Sequence, residues 1–147
     1  MTWLLIMIVL ASGMLLPVQA GVNAQLRTYV GHPMVAAVLN FVLGTTALIV
    51  VSIAMRAPVP EIAKLTSVPW WLLLGGLYGA NYIVVSILLA PRLGAATLIG
   101  ASVTGQMLIS IVLDHYGLIG YRVHPVTGMR IVGAALLLAG LGLIQRF

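Results

Sequence analysis

The chain is 147 residues long, 62% apolar and 6% charged, with a formal net charge of +5 and no cysteine. A soluble domain carries roughly 25% charged residues, so this chain cannot coat itself for water, and lipid is the solvent that needs no such coat. The lack of cysteine excludes disulfides and thiolate metal sites. A nucleic-acid surface needs clustered cations, whereas Arg27, Arg56, Lys64, Arg92, Arg122, Arg130 and Arg146 stand singly. Each falls near the end of an apolar run, where a cation anchors a helix to headgroups.

A spanning helix takes about 20 apolar residues, and no backbone group can go unpaired in hydrocarbon. The chain therefore reads as all-α, an integral membrane bundle of five transmembrane helices in one domain over residues 1–147. The first span covers about 3–26. Its opening lacks the basic n-region of a signal peptide, since the first cation is Arg27, so it is read as a retained span. Pro17 leaves the Gly13 carbonyl without its usual donor, which predicts a kink. At about 100° per residue, Ser12, Gln19 and Asn23 share a narrow arc beside it.

The second span, about 33–55, opens on Pro33, a favourable first helical residue, and carries Asn40 one turn before Gly44. The most polar stretch follows, Arg56 to Val68, with Pro58, Pro60, Glu61 and Lys64, read as a loop with a short interfacial turn. The third span, about 70–90, starts with Trp70 and Trp71 at headgroup level. It is predicted to stop at Ala90, because Pro91 cannot continue a helix. Gly75 and Gly79 have the small-residue spacing that lets helices touch, and Tyr78, Asn81 and Tyr82 lie on or beside that stripe. The short link from Pro91 to Gly94 predicts an antiparallel hairpin with the fourth span.

The fourth span, about 93–113, holds Ser102, Gln106 and Ser110 at i, i+4 and i+8, pointing toward Asp114, with Thr97 and Thr104 on the opposite side. A helix polar on both sides is poorly placed against lipid, so protein or water is expected around it. The fifth span, about 126–145, has no polar side chain between Arg130 and Gln145. Its Gly128, Ala135, Ala139 and Gly142 make one small-residue stripe, read as a dimer or helix-packing face.

The two acids are Glu61 and Asp114, neither deep in a span, which argues against a membrane-embedded carboxylate as a proton or cation site. Asp114 and His115 form a pair able to titrate near neutrality. The plainer reading has Asp114 fixing its loop through His115 or Arg122. No nucleophile–base pairing, metal-ligand spacing or phosphate loop is present, so neither an enzyme nor a cofactor or metal is expected. Gln19, Asn23, Asn40, Tyr78, Asn81, Tyr82, Thr104 and Gln106 are the candidate substrate-cavity residues. The alternative is that such groups bond between helices as glue.

An odd number of spans puts the termini on opposite sides. Arg56, Lys64, Arg122 and Arg130 then face Arg27, Arg92 and Arg146 across the bilayer, with Arg130 at the start of the fifth span. Orientation follows Lys/Arg asymmetry, which is nearly absent, so the chain is expected to insert both ways.

Several segments together resemble the YdcZ-type family of the drug/metabolite transporter superfamily, small bacterial membrane proteins of about five spans. They are PVQAGVNAQL from Pro17 to Leu26, NFVLG from Asn40 to Gly44, the pairs Gly75-Gly76 and Gly79-Ala80, PRLGAAT from Pro91 to Thr97, Gly105-Gln106, and LDHYGL from Leu113 to Leu118. The last is the most specific, and the resemblance covers the whole chain. It implies half of an inverted-repeat transporter, completed by an antiparallel homodimer in the bacterial inner membrane. Related four-span multidrug exporters rely on a carboxylate in the first helix. Here Gln19 and Asn23 stand in that region, which speaks against drug-cation/proton exchange. The expected function is secondary transport of a small polar or weakly charged molecule by alternating access. The expected partners are the lipid bilayer, a second copy and that small molecule, with no nucleic acid. A dual-topology channel and a non-transporting membrane assembly subunit are the alternatives.

Overall fold

Apolar runs with so few charges must close their backbone hydrogen bonds internally, and the expected spans are helical. The computed structural model describes residues 2–61 and 66–147, with side chains from residue 3. Lys64, counted above among the topology-setting cations, lies outside the described residues. Fully described helices are α1 (Thr2–Gly13), α2 (Leu15–Val30), α3 (Pro33–Ala54), α4 (Gly75–Leu93), α5 (Ala95–Tyr116) and α6 (Gly128–Arg146), with 3-10 turns at Trp70–Leu74 and Leu118–Gly120. They make five segments long and apolar enough to cross a membrane: Trp3–Val30, Pro33–Ala54, Trp70–Leu93, Ala95–Tyr116 and Gly128–Arg146.

The boundaries show local chemistry at work. The first span is interrupted at Met14, between α1 and α2, just where Pro17 withholds a donor from Gly13. It then continues past Leu26 to Val30. The third span does not stop before Pro91: α4 runs through it to Leu93. Pro91 falls in the last turn, where it removes a single N–H. The helix ends instead at Gly94, whose φ of +76° is open to glycine and strained for other residues. The fifth span becomes helical only at Gly128, after an extended Thr127 whose hydroxyl accepts from the Arg130 N–H at 3.4 Å as an N-cap. On α3, the His32 Nδ1 accepts from the Met34 N–H at 3.2 Å, with Pro33 as first helical residue.

The chain divides into two compact units, residues 18–92 and residues 1–17 with 93–147. In the first, Ala36 and Ala37 on α3 and Ile87 on α4 are buried, with Leu26, Val30, Ile83 and Val84 packed against them. Two alanines on one face of α3 give Ile87 the close approach it needs. In the second, α5 and α6 pack antiparallel. Near the start of α5, Leu141 Cδ1 lies 3.3 Å from where a Cβ on Gly100 would stand. At the other end, Asp114 meets Arg130. Each span buries at most two of its described residues within the chain, so most helical surface is left for lipid or for another chain.

Candidate functional site

Polar side chains inside the spans fall into two groups. The first satisfies itself. Hydroxyls of Thr46, Ser86, Ser102 and Thr104 donate to the carbonyls four residues back at 2.7–2.9 Å, and Asn40 Nδ2 donates to the Ala36 carbonyl at 3.0 Å. Such back-bonds are local and ask nothing of a neighbouring helix. Thr104 is buried with its hydroxyl already used.

The second group does not. The amides of Gln19, Asn23, Asn81 and Gln106 and the phenols of Tyr78 and Tyr82 make no side-chain hydrogen bond among the described residues. Asn23 is 3% exposed, and the Tyr82 hydroxyl is buried without a partner. Gln19, Tyr78, Asn81 and Gln106 are exposed, while Asn40 and Tyr82 as whole residues are half-buried. A neutral amide offers two donors and two acceptor sites. Left unpaired in hydrocarbon, it costs several kcal/mol, of order 4–8 for complete transfer to an alkane.

Gln19, Asn23, Asn40, Tyr78, Asn81 and Tyr82 belong to the 18–92 unit, and Thr104 and Gln106 to the other. None of the eight lines three cavities of the described residues. One of these, about 410 Å³, runs between α3 and α4 past Phe41, Val42, Thr45, Thr46 and Ala80. Sequence reasoning missed it because its walls are almost wholly apolar and carry no distinctive polar pattern.

On α6, Gly128, Ala135, Ala139 and Gly142 are all exposed. A Cβ added at Gly128 or Gly142 would meet nothing within 4 Å. The helix touches α5 through the opposite side, which carries Arg130, Ala134 and Leu141, roughly 140° around at about 100° per residue. On α5, Gln106 and Ser110 are likewise exposed, and Ser102 half-buried.

Asp114 does not anchor its loop through His115 or Arg122. Arg130 Nη2 donates to Asp114 Oδ2 at 3.0 Å, and Nη1 donates to the His124 carbonyl at 3.2 Å. The His124 N–H donates to the Asp114 carbonyl at 2.8 Å. His115 instead accepts at Nδ1 from the Val126 N–H, 3.2 Å away. The antiparallel pairing sets the last turn of α5 beside the first turn of α6, bringing together a pair 16 residues apart that no local pattern announces.

A family model described as "Putative inner membrane exporter, YdcZ" matches residues 4–143. The "Inner membrane protein YdcZ" of Escherichia coli (strain K12) is 28% identical over 137 residues, covering 93% of this chain and 91% of that protein. No solved structure matches the chain. The five apolar helices and the match along nearly all of their length lead to one assignment: the chain belongs to the YdcZ-type family, a membrane transporter family, and is an integral protein of the inner membrane.

Proposed function

We propose that the chain is a secondary transporter that exports a small polar or weakly charged molecule by alternating access, as a dual-topology antiparallel homodimer. One observation carries this reading: Gln19, Asn23, Asn81, Gln106, Tyr78 and Tyr82, all within membrane-spanning helices, have no side-chain hydrogen-bond partner among the described residues. Packing glue within one chain would have left them paired. Gln19, Tyr78, Asn81 and Gln106 are exposed, open to water, a solute or a second copy, and a polar path at the interface of two repeats supplies all three. Gln19, Asn23, Asn81, Gln106, Tyr78 and Tyr82 are the hydrogen-bonding groups of that path, with Asn40 and Thr104 as its walls. All are uncharged at neutral pH, so the substrate is neutral, zwitterionic or weakly charged. The family description supports the outward direction.

The dimer has its own support. The small-residue stripe on α6 and the Gln106 face of α5 are uncovered, and the cations divide almost evenly between the two sides. The test is a melting-temperature screen of the purified protein against neutral and zwitterionic metabolites, followed by counterflow of each hit in proteoliposomes. Saturable counterflow is expected. Fast, unsaturable flux without counterflow would make the protein a channel. Neither a shift nor flux would make it an assembly subunit.

A further inference from the structure

We propose that the groove between α5 and α6 holds an aminophospholipid, with its phosphate on Arg130, its ammonium on Asp114 and one acyl chain along Met107, Ile111 and Leu137. The proposal is independent of the transport reading. The groove is a cavity of about 240 Å³ with those five residues among its walls. Met107 and Gly133 on its rim are exposed, so it opens on the outside of the hairpin.

The charges at its end have bonding capacity left over. A guanidinium has five N–H donors; Arg130 uses one on Asp114 Oδ2 and one on the His124 carbonyl. Asp114 Oδ1 accepts from no described residue. The two side chains keep 36% and 27% of their surface exposed, so neither is sealed by the other. Each also stands at the unfavourable end of its own helix, Asp114 in the last turn of α5 and Arg130 in the first turn of α6. There the backbone dipole opposes its charge. Paired and open, they present an anion and a cation side by side, which is the complement of a zwitterion.

Depth chooses the kind of zwitterion. Asp114 lies two residues before the end of one span and Arg130 two after the start of the next, which sets the pair toward the headgroups. Met107 is seven residues farther along α5, about 10 Å toward the hydrocarbon at 1.5 Å per residue. A polar head at the rim and an apolar wall running inward fit a lipid, whereas a free polar solute would face that wall with nothing to bond. Asp114 selects among lipids. A primary ammonium donates N–H bonds to it, a choline group has no N–H to give, and an anionic head without an amine offers it no donor.

The experiment measures lipid retained by the purified full-length protein, by native mass spectrometry. Phosphatidylethanolamine, phosphatidylcholine and phosphatidylglycerol of identical acyl chains are offered, with glycerophosphoethanolamine as a chain-free headgroup. About tenfold preference for phosphatidylethanolamine is expected, the size of one charge-assisted hydrogen bond. It should vanish in Asp114→Asn, and Arg130→Gln should lower retention of all three lipids. Gly133→Leu is the variant that does not disturb the ion pair, since a Cβ there meets nothing within 4 Å. It fills the groove and should expel the lipid while melting in lipid-free detergent stays at the wild-type temperature. Equal retention of the three lipids overturns the proposal. So does a preference that survives Gly133→Leu. Binding of glycerophosphoethanolamine as tight as that of the intact lipid would also overturn it, by showing a solute site.

Discussion

Arg130 reaches Asp114 at 3.0 Å and, with its other terminal nitrogen, the His124 carbonyl at 3.2 Å, so one side chain ties the start of α6 both to the end of α5 and to the loop between them. Ion pairs with this much exposure contribute about 1 kcal/mol or less. Asp114→Ala and Arg130→Ala should each lower unfolding stability by about that amount, Arg130→Ala by slightly more because the carbonyl loses a donor too. A double-mutant cycle, followed by SDS unfolding in mixed micelles, should return a coupling of about 0.5 kcal/mol. Strict additivity would show that the contact contributes nothing.

The loop that follows α5 makes a sharper prediction. Gly117 caps that helix at a φ of +62°, and a Cβ there would stand 2.7 Å from Val123 Cγ2. Gly120 has a φ of +83° with open space around it. Gly120→Ala carries only the left-handed backbone penalty, about 1–2 kcal/mol. Gly117→Ala carries that and a displaced Val123, so it should be the more damaging of the two in the same unfolding assay. Equal effects would show that Val123 moves aside freely.

These details mark how far the sequence could be read. Five spans and the Pro17 break follow from short-range rules of hydropathy and proline chemistry. Pro91 misled because the rule that proline ends a helix holds for its interior, and here α4 had only its last turn left. The sequence marks Asp114 as an anchor, but its neighbours His115 and Arg122 are not its partners. Only the antiparallel packing of α5 on α6 identifies Arg130. The candidate cavity set was legible as polar residues in the wrong solvent. Which of them back-bond, like Thr104, and which remain unpaired, like Gln106, depends on rotamers that no pattern of residue types records.

The small-residue stripe on α6 separates assembly from folding. Ala135→Leu and Gly142→Leu add bulk to an exposed face, so each should leave the fold of the chain intact and lower the dimer fraction in detergent titrations. Gly100→Leu serves as the opposite case, because its Cβ would press on Leu141 at 3.3 Å and force α5 from α6. It should destabilise the chain itself. An unchanged dimer fraction in both stripe variants would remove α6 from the proposed interface.

Topology is testable without purification. With cations almost balanced, a C-terminal reporter should be active on both sides of the membrane. Three lysines inserted between Arg56 and Glu61, in the exposed loop after α3, should drive the chain to a single orientation. Transport should then fall and return when an oppositely biased variant is co-expressed. A reporter confined to one side in the unmodified chain would rule out the dual-topology dimer.

Gln106 tests the proposed path most directly. It lies in mid-α5, exposed, without a hydrogen bond to any described residue, one turn from Ser102, whose hydroxyl already donates to the Leu98 carbonyl at 2.9 Å. Both occupy the same stripe, Ser102 half-buried and Gln106 exposed, and they differ in whether their polar groups are paired. Gln106→Leu removes two donors and two acceptor sites while making the helix more apolar, which lipid tolerates. If the amide faces a substrate path, the variant should fold and dimerise as the parent does, yet lose ligand-induced thermal stabilisation and counterflow. Ser102→Ala, which deletes only a satisfied hydroxyl, should keep both near the parent level. If Gln106 instead bonds across the dimer, its loss should weaken association by on the order of 1 kcal/mol and leave counterflow measurable. Equal, small effects of the two substitutions on every readout would mean that Gln106 faces lipid, and the hydrogen-bonding path would have to be sought on α2 and α4 alone.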